Sequence, residues 1–97
     1  MKAYEVLIIL NATLSEEDRG AVIKRISDLV TDGGSTLDNI NEWGKRKLAY
    51  EINKQTDGDY VLVEFHADPA AISEIDRVLG IVDSVIRFTI TKRVEKR

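Results

Sequence analysis

Hydrophobic positions recur along this chain with two periods, and the switches between them mark the elements. The run from Tyr4 to Leu10 is short and rich in β-branched and aromatic residues, which predicts a strand. Side chains alternate along a strand, so Tyr4, Val6, Ile8 and Leu10 share one face, and Glu5, Leu7 and Ile9 the other. Both faces are apolar over most of the length, as expected of a central strand. Asn11 to Leu14 reads as a turn. Ser15 suits a helix N-cap, and Glu16, Glu17 and Asp18 suit the positive end of a helix dipole. Val22, Ile23, Ile26, Leu29 and Val30 then recur at spacings of three and four, giving one apolar stripe. Gly33-Gly34 ends the helix.

From Ser35 to Ile52 the pattern is strand-like again, with a slip near Trp43-Gly44 that predicts a bend or bulge. Asn53 to Gly58 reads as a polar turn. Asp59 to His66 is a strand with Val61, Val63 and Phe65 on one face, paired with its predecessor as an antiparallel hairpin. Asp68 and Pro69 open a second helix, Ile72, Ile75, Val78 and Leu79 form its stripe, and Gly80 closes it. Val85 to Lys92 is the last strand, with Ile86, Phe88 and Ile90 expected inward and Arg87, Thr89 and Thr91 outward. Val94 to Arg97 reads as a short polar tail, expected to fray.

The order strand, helix, strand, strand, helix, strand predicts an α+β, ferredoxin-like split β-α-β fold. Right-handed crossovers put both helices on one face of a four-stranded antiparallel sheet. The length of 97 residues suits one domain over residues 1–97. The set Tyr4, Val6, Ile8 and Leu10 is the better choice for the core. Leu7 and Ile9 then face outward on a central strand, bordered by Arg87 and Thr89. Apolar groups exposed on an open sheet mark a partner surface, so Leu7 and Ile9 are the candidate partner-binding residues.

Composition narrows the classes. Apolar residues make up 43% and charged residues 32%, too apolar a balance for a disordered chain. The absence of cysteine excludes disulfides, thiolate metal sites and cysteine nucleophiles, and fits a reducing compartment. No apolar run approaches the roughly 18 residues of a membrane span. Met1 to Tyr4 leads into the first strand without a signal-peptide hydrophobic region, so a cytoplasmic protein with no membrane partner is expected.

The net charge of −3 hides an asymmetry. Lys45, Arg46, Lys47 and Lys54 stand against Glu51 in the stretch from Trp43 to Lys54. Arg87, Lys92, Arg93, Lys96 and Arg97 stand against Glu95 in the last eleven residues. The remainder holds five basic and fifteen acidic groups. Two short basic segments in an otherwise acidic protein would form a patch for a polyanion if they met in space.

Enzymatic chemistry finds no foothold. The lone histidine, His66, has no second histidine to share a metal. The serines have no histidine base in a triad pattern, and Gly33-Gly34 precedes no helix that could cradle phosphate. No catalytic residue, metal, cofactor or small-molecule substrate is expected. The stretch from Trp43 to Tyr50 instead interleaves three consecutive cations with two aromatics. On a strand, Lys45 and Lys47 point one way and Arg46 the other, so they can reach phosphates on both sides of an edge. Lysine supplies a point charge, and arginine a planar fork that binds two phosphate oxygens or stacks on a base. The same lysines would also protect an edge strand from aggregation. An RNA-recognition motif shares the topology but needs aromatics on its central strands. Leu62 stands where one is required, and Asp57 where a cation is required, so base stacking on the sheet is set aside as the main binding mode.

These residues together resemble the bacterial small-subunit ribosomal protein six family. Tyr4-Glu5-Val6 with Ile8 and Leu10-Asn11 is similar to that family's opening strand. The stretch Trp43-Gly44-Lys45-Arg46-Lys47-Leu48-Ala49-Tyr50-Glu51-Ile52 is the most specific piece. Gly58-Asp59-Tyr60-Val61 with Phe65 resembles the third strand. Asp76-Arg77-Val78-Leu79 and Val85-Ile86-Arg87 resemble the second helix and last strand. The resemblance implies a non-enzymatic constituent of the small ribosomal subunit. It would bind the central domain of 16S ribosomal RNA together with ribosomal protein eighteen. By motif, Lys45, Arg46, Lys47 and Arg87 become RNA-contact candidates, and charge alone adds Lys92 and Arg93. The alternative from another class is a ferredoxin-like regulatory domain that binds a small metabolite and dimerises through its sheet. Steep salt dependence of RNA binding would separate the two. An acylphosphatase-like hydrolase would need an arginine after the first strand, which Asn11-Ala12-Thr13-Leu14 does not offer.

Overall fold

A computed structural model describes residues 2–52 and 55–93. The expected tail at 94–97 and the start of the expected turn, at 53 and 54, lie outside the described residues. Six elements follow in the expected order: β1 (Lys2–Asn11), α1 (Glu16–Asp32), β2 (Thr36–Ile52), β3 (Gln55–Ala67), α2 (Pro69–Leu79) and β4 (Val85–Lys92). The strands form one antiparallel sheet in the order β2-β3-β1-β4, so β1 and β3 are central. This is the ferredoxin-like arrangement.

Local chemistry sets the boundaries. The Ser15 hydroxyl accepts the Asp18 N–H at 3.1 Å, capping α1. At the other end Gly34 takes φ +85°, while its N–H reaches the Thr31 carbonyl and the Ser35 N–H reaches that of Val30. That pair of reversed bonds closes the last turn and needs the glycine's left-handed backbone. Pro69 starts α2 at a position where a missing N–H costs nothing.

The core lies between the helices and one face of the sheet. Tyr4, Val6, Ile8 and Leu10 from β1 meet Val61, Val63 and Phe65 from β3, under Ile26, Val30, Ile75 and Leu79 from the helices. Val6, Ile8, Leu10, Val61 and Phe65 are wholly excluded from solvent. Registers such as Val6↔Val63 and Ile8↔Val61 keep like faces together across the strands.

Three departures from simple alternation shape the open face. The β2–β3 register slips between Glu42 and Gly44, and Gly44 takes φ +88°, so the expected bulge is present. A second slip, between Ile9 and Leu10 in the β1–β4 pairing, sets Leu10 opposite Val85 instead of Ile86. Val85 therefore joins Phe88 and Ile90 against the core, and the inward placement expected for Ile86 is corrected. Of the stretch expected as a turn, residues 55–58 are strand. Arg46 pairs with Gly58, Lys47 with Asp57 and Ile52 with Gln55, which prolongs the hairpin into an arm past the end of β1. The polar run Gln55-Thr56-Asp57-Gly58 concealed the pairing, because this half of the arm carries no apolar alternation.

Candidate nucleic-acid and partner surface

The sheet face opposite the helices is laid out in rows by the registers. One row runs Arg87, Ile9, Tyr60 and Gly44 from β4 to β2. The next is Thr89, Leu7, Leu62 and Asn41, and the third Thr91, Glu5, Glu64 and Asn39. The face thus grades from aromatic and basic at one end, through apolar, to acidic at the other.

The first row is built around the bulge. Gly44 sits directly opposite Tyr60 but has no side chain to cover it. The extra residue, Trp43, supplies its indole instead, stacked on the Tyr60 ring with centroids 6.3 Å apart and planes within 6°. The Arg46 guanidinium lies over the Trp43 ring, 5.3 Å from its centroid. An arginine, an indole and a phenol are therefore stacked in series.

The arm bends across this end of the face. The Arg87 guanidinium on β4 donates to the Tyr50 hydroxyl on β2, although β2 and β4 are opposite edges of the sheet. The two basic segments of the sequence meet at that contact. Ile9 lies beneath the arm and retains 9% of its exposure. A Cβ added to Gly58 would collide with the Ile9 Cγ2, so this glycine permits the close approach. Ile9 does face away from the helices, as expected, but its expected exposure is corrected, because the arm covers it. Leu7 remains half-buried between Leu62 and Thr89.

The cations are distributed as follows. Lys45, Arg46 and Lys47 are all exposed. Lys45 and Lys47 stand opposite Asp59 and Asp57, on the helix-side face, while Arg46 stands opposite Gly58 on the open face. Arg87 is exposed on the open face. Lys92 pairs with core-facing Tyr4 and so points to the other side, at the far end of β4. Arg93 is a strut. Its guanidinium donates to Glu64 at 3.0 Å, to Asp38 at 2.5 Å and to the carbonyls of Tyr4 and Phe65. Asp38 also meets His66 Nδ1 at 2.6 Å. The structure brings Lys45, Arg46, Lys47 and Arg87 to one end and places Lys92 and Arg93 at the other.

Sequence reasoning passed over two features here. The comparison with an RNA-recognition motif, which set base stacking on the sheet aside on Leu62 and Asp57, left Tyr60 without an aromatic partner. Its actual partner, Trp43, comes from the neighbouring strand through the bulge, and the Trp-Gly dipeptide was the available signal. The bidentate contact of Arg19 with Asp59, which anchors α1 to the root of the arm, joins residues forty apart and leaves no local pattern.

Among the described residues, no group of three or more histidines and carboxylates could hold a metal ion. No helix among them is long and apolar enough to cross a membrane.

Comparison with known proteins decides the family. The model of the ribosomal protein S6 family matches residues 3–92. The chain belongs to that family. It is 42% identical over 96 residues to small ribosomal subunit protein bS6 of Moorella thermoacetica, covering 99% of this chain and 98% of the relative. It is 47% identical over 90 residues to bS6 of Clostridium acetobutylicum, covering 93% and 95%. The crystal structure of ribosomal protein S6 from Thermotoga maritima superposes with a TM-score of 0.91 at 27% identity, over 95% of this chain and 87% of that one. The C-terminal domain of MgtC from Mycobacterium tuberculosis shares the fold alone, with a TM-score of 0.66 at 12% identity. The protein is thus a structural constituent of the bacterial small ribosomal subunit and not an enzyme, which excludes the regulatory-domain alternative.

Proposed function

We propose that this chain binds the central domain of small-subunit ribosomal RNA together with ribosomal protein eighteen. The observation that carries the reading is the contact of Arg87 on β4 with Tyr50 on β2, which brings the two basic segments of the sequence together at one end of an otherwise acidic molecule. A polyanion is attracted to such a local patch despite a negative total charge. Lys45, Arg46, Lys47 and Arg87 are assigned to phosphate. Lys92 contributes at most a peripheral charge from the far end of β4. Arg93 is assigned to holding the end of β4 against Glu64 and Asp38, since its fork is already occupied. Leu7, with Leu62 and Thr89 beside it, is assigned to the protein partner. Ile9 supports that surface from beneath the arm.

The test is the salt dependence of binding to a central-domain RNA fragment in the presence of ribosomal protein eighteen. A variant carrying Lys45→Gln, Arg46→Gln and Lys47→Gln should bind more weakly. The slope of log affinity against log salt should flatten by roughly one unit for each phosphate that is no longer neutralised. An unchanged slope overturns the assignment.

A further inference from the structure

We infer that Trp43 and Tyr60 are positioning residues for Arg46, holding its guanidinium in a fixed orientation toward RNA. The inference rests on the RNA-binding reading above and deepens it. An arginine on an exposed strand has several rotatable bonds, and ordering them on binding costs affinity. Here the fork already lies over an aromatic face, 5.3 Å from the ring centroid. That face is itself held, since the indole is stacked within 6° of parallel on Tyr60. Tyr60 is fixed in a central strand, paired with Ile9 on one side and Gly44 on the other. The bulge at Gly44, with its φ of +88°, places the Trp43 ring there. The chain of support therefore runs from the sheet through two rings to a cation at the surface. Trp43 is 41% exposed and Tyr60 partly so, which is more aromatic surface than the core of the fold requires. The stack lies on the face opposite the helices, so its contribution is separate from the packing that holds them.

The experiment is a double-mutant cycle on affinity for the central-domain RNA fragment with ribosomal protein eighteen present. Four proteins are compared: the parent, Trp43→Leu, Arg46→Met and the double variant, with Trp43→Phe as the conservative control. Trp43→Leu should weaken binding about fivefold, the scale of one exposed cation–π contact. Trp43→Phe should restore most of it. In the Arg46→Met background Trp43→Leu should have no further effect, because there is no fork left to position. Equal losses in both backgrounds would mean that Trp43 touches the RNA itself, and would overturn the inference. So would a loss confined to association with ribosomal protein eighteen, measured without RNA. If Trp43→Leu is silent while Arg46→Met weakens binding, the positioning role fails and the RNA reading stands. If Arg46→Met is itself silent, the RNA reading of Arg46 fails, and the inference with it. Trp43 is the single tryptophan of the chain, so its fluorescence reports the stack directly. Arg46→Met should shift that emission before any RNA is added, and an unchanged spectrum would overturn the stack as a property of the free protein.

Discussion

Asp59 is the one charged residue among the described ones that is fully buried, at 2% exposure. Arg19 reaches it from α1 with two guanidinium nitrogens, and a third meets Glu42 on β2. A buried carboxylate is tolerable only while it is paired, because desolvating it alone costs several kcal/mol. Arg19→Met should therefore destabilise the fold by about 3 kcal/mol in denaturant unfolding. Glu42 is half exposed, so Glu42→Gln should cost no more than about 0.5 kcal/mol. Similar effects for the two would show that Asp59 is not the partner that matters. Little of this was legible beforehand. Alternation does place Asp59 on the inward face with Val61 and Val63, but it cannot say what neutralises an acid there. The N-cap at Ser15 and the glycine stop at Gly34 were legible, because both depend on neighbours within a few residues.

At the scale of elements, all six were readable from their periods, and the failures fall where the period is silent. The bulge at Trp43-Gly44 announces itself by a slip and a glycine. The slip at Ile86 does not, since Val85 and Ile86 are both aliphatic and either could point inward. The β3 half of the arm, 55–58, was read as a turn because it is polar, and the arm's course across the open face is set by contacts between β2 and β4 that no local window contains. Gly58 is where the arm passes over Ile9. A methyl group there would overlap the Ile9 Cγ2 and lie 3.1 Å from the Leu48 Cδ2. Ile9 is β-branched and buried, so its Cγ2 cannot swing aside without turning the whole side chain. Gly58→Ala should cost about 1–3 kcal/mol, the range of overpacked positions. It should also lift the arm from Arg87, which faster amide exchange along the 45–52 segment would record. Unaltered stability and exchange would mean that the arm does not rest on Ile9.

The molecule as a whole is two-sided. Glu16, Glu17, Asp18 and Asp32 on α1, and Glu74 and Asp76 on α2, are exposed on the helical layer. On the proposed RNA-binding reading these acids would repel the polyanion while Arg46 and Arg87 on the open face would attract it, which would orient the protein as well as attach it. The fold class and the choice of face for Leu7 followed from the sequence, because the four-member set on β1 was the better choice for the core. Which part of that face stays uncovered did not, since the arm had to be seen before Ile9 could be set apart from Leu7. Leu7 sits in the middle row, between Leu62 and Thr89, and borders the cavity that Leu48, Ala49 and Tyr50 of the arm also line. Being half-buried in the free protein, it has apolar surface left for a partner to cover. Leu7→Glu should lower the fold's stability by about 1 kcal/mol, the share of its burial already made. Affinity for ribosomal protein eighteen should fall tenfold or more, since a carboxylate would then be desolvated at the centre of the contact. Unfolding and heterodimer titration on the same preparation give both numbers. A stability loss larger than the binding loss would make Leu7 a core residue, and the partner would have to meet another part of the sheet.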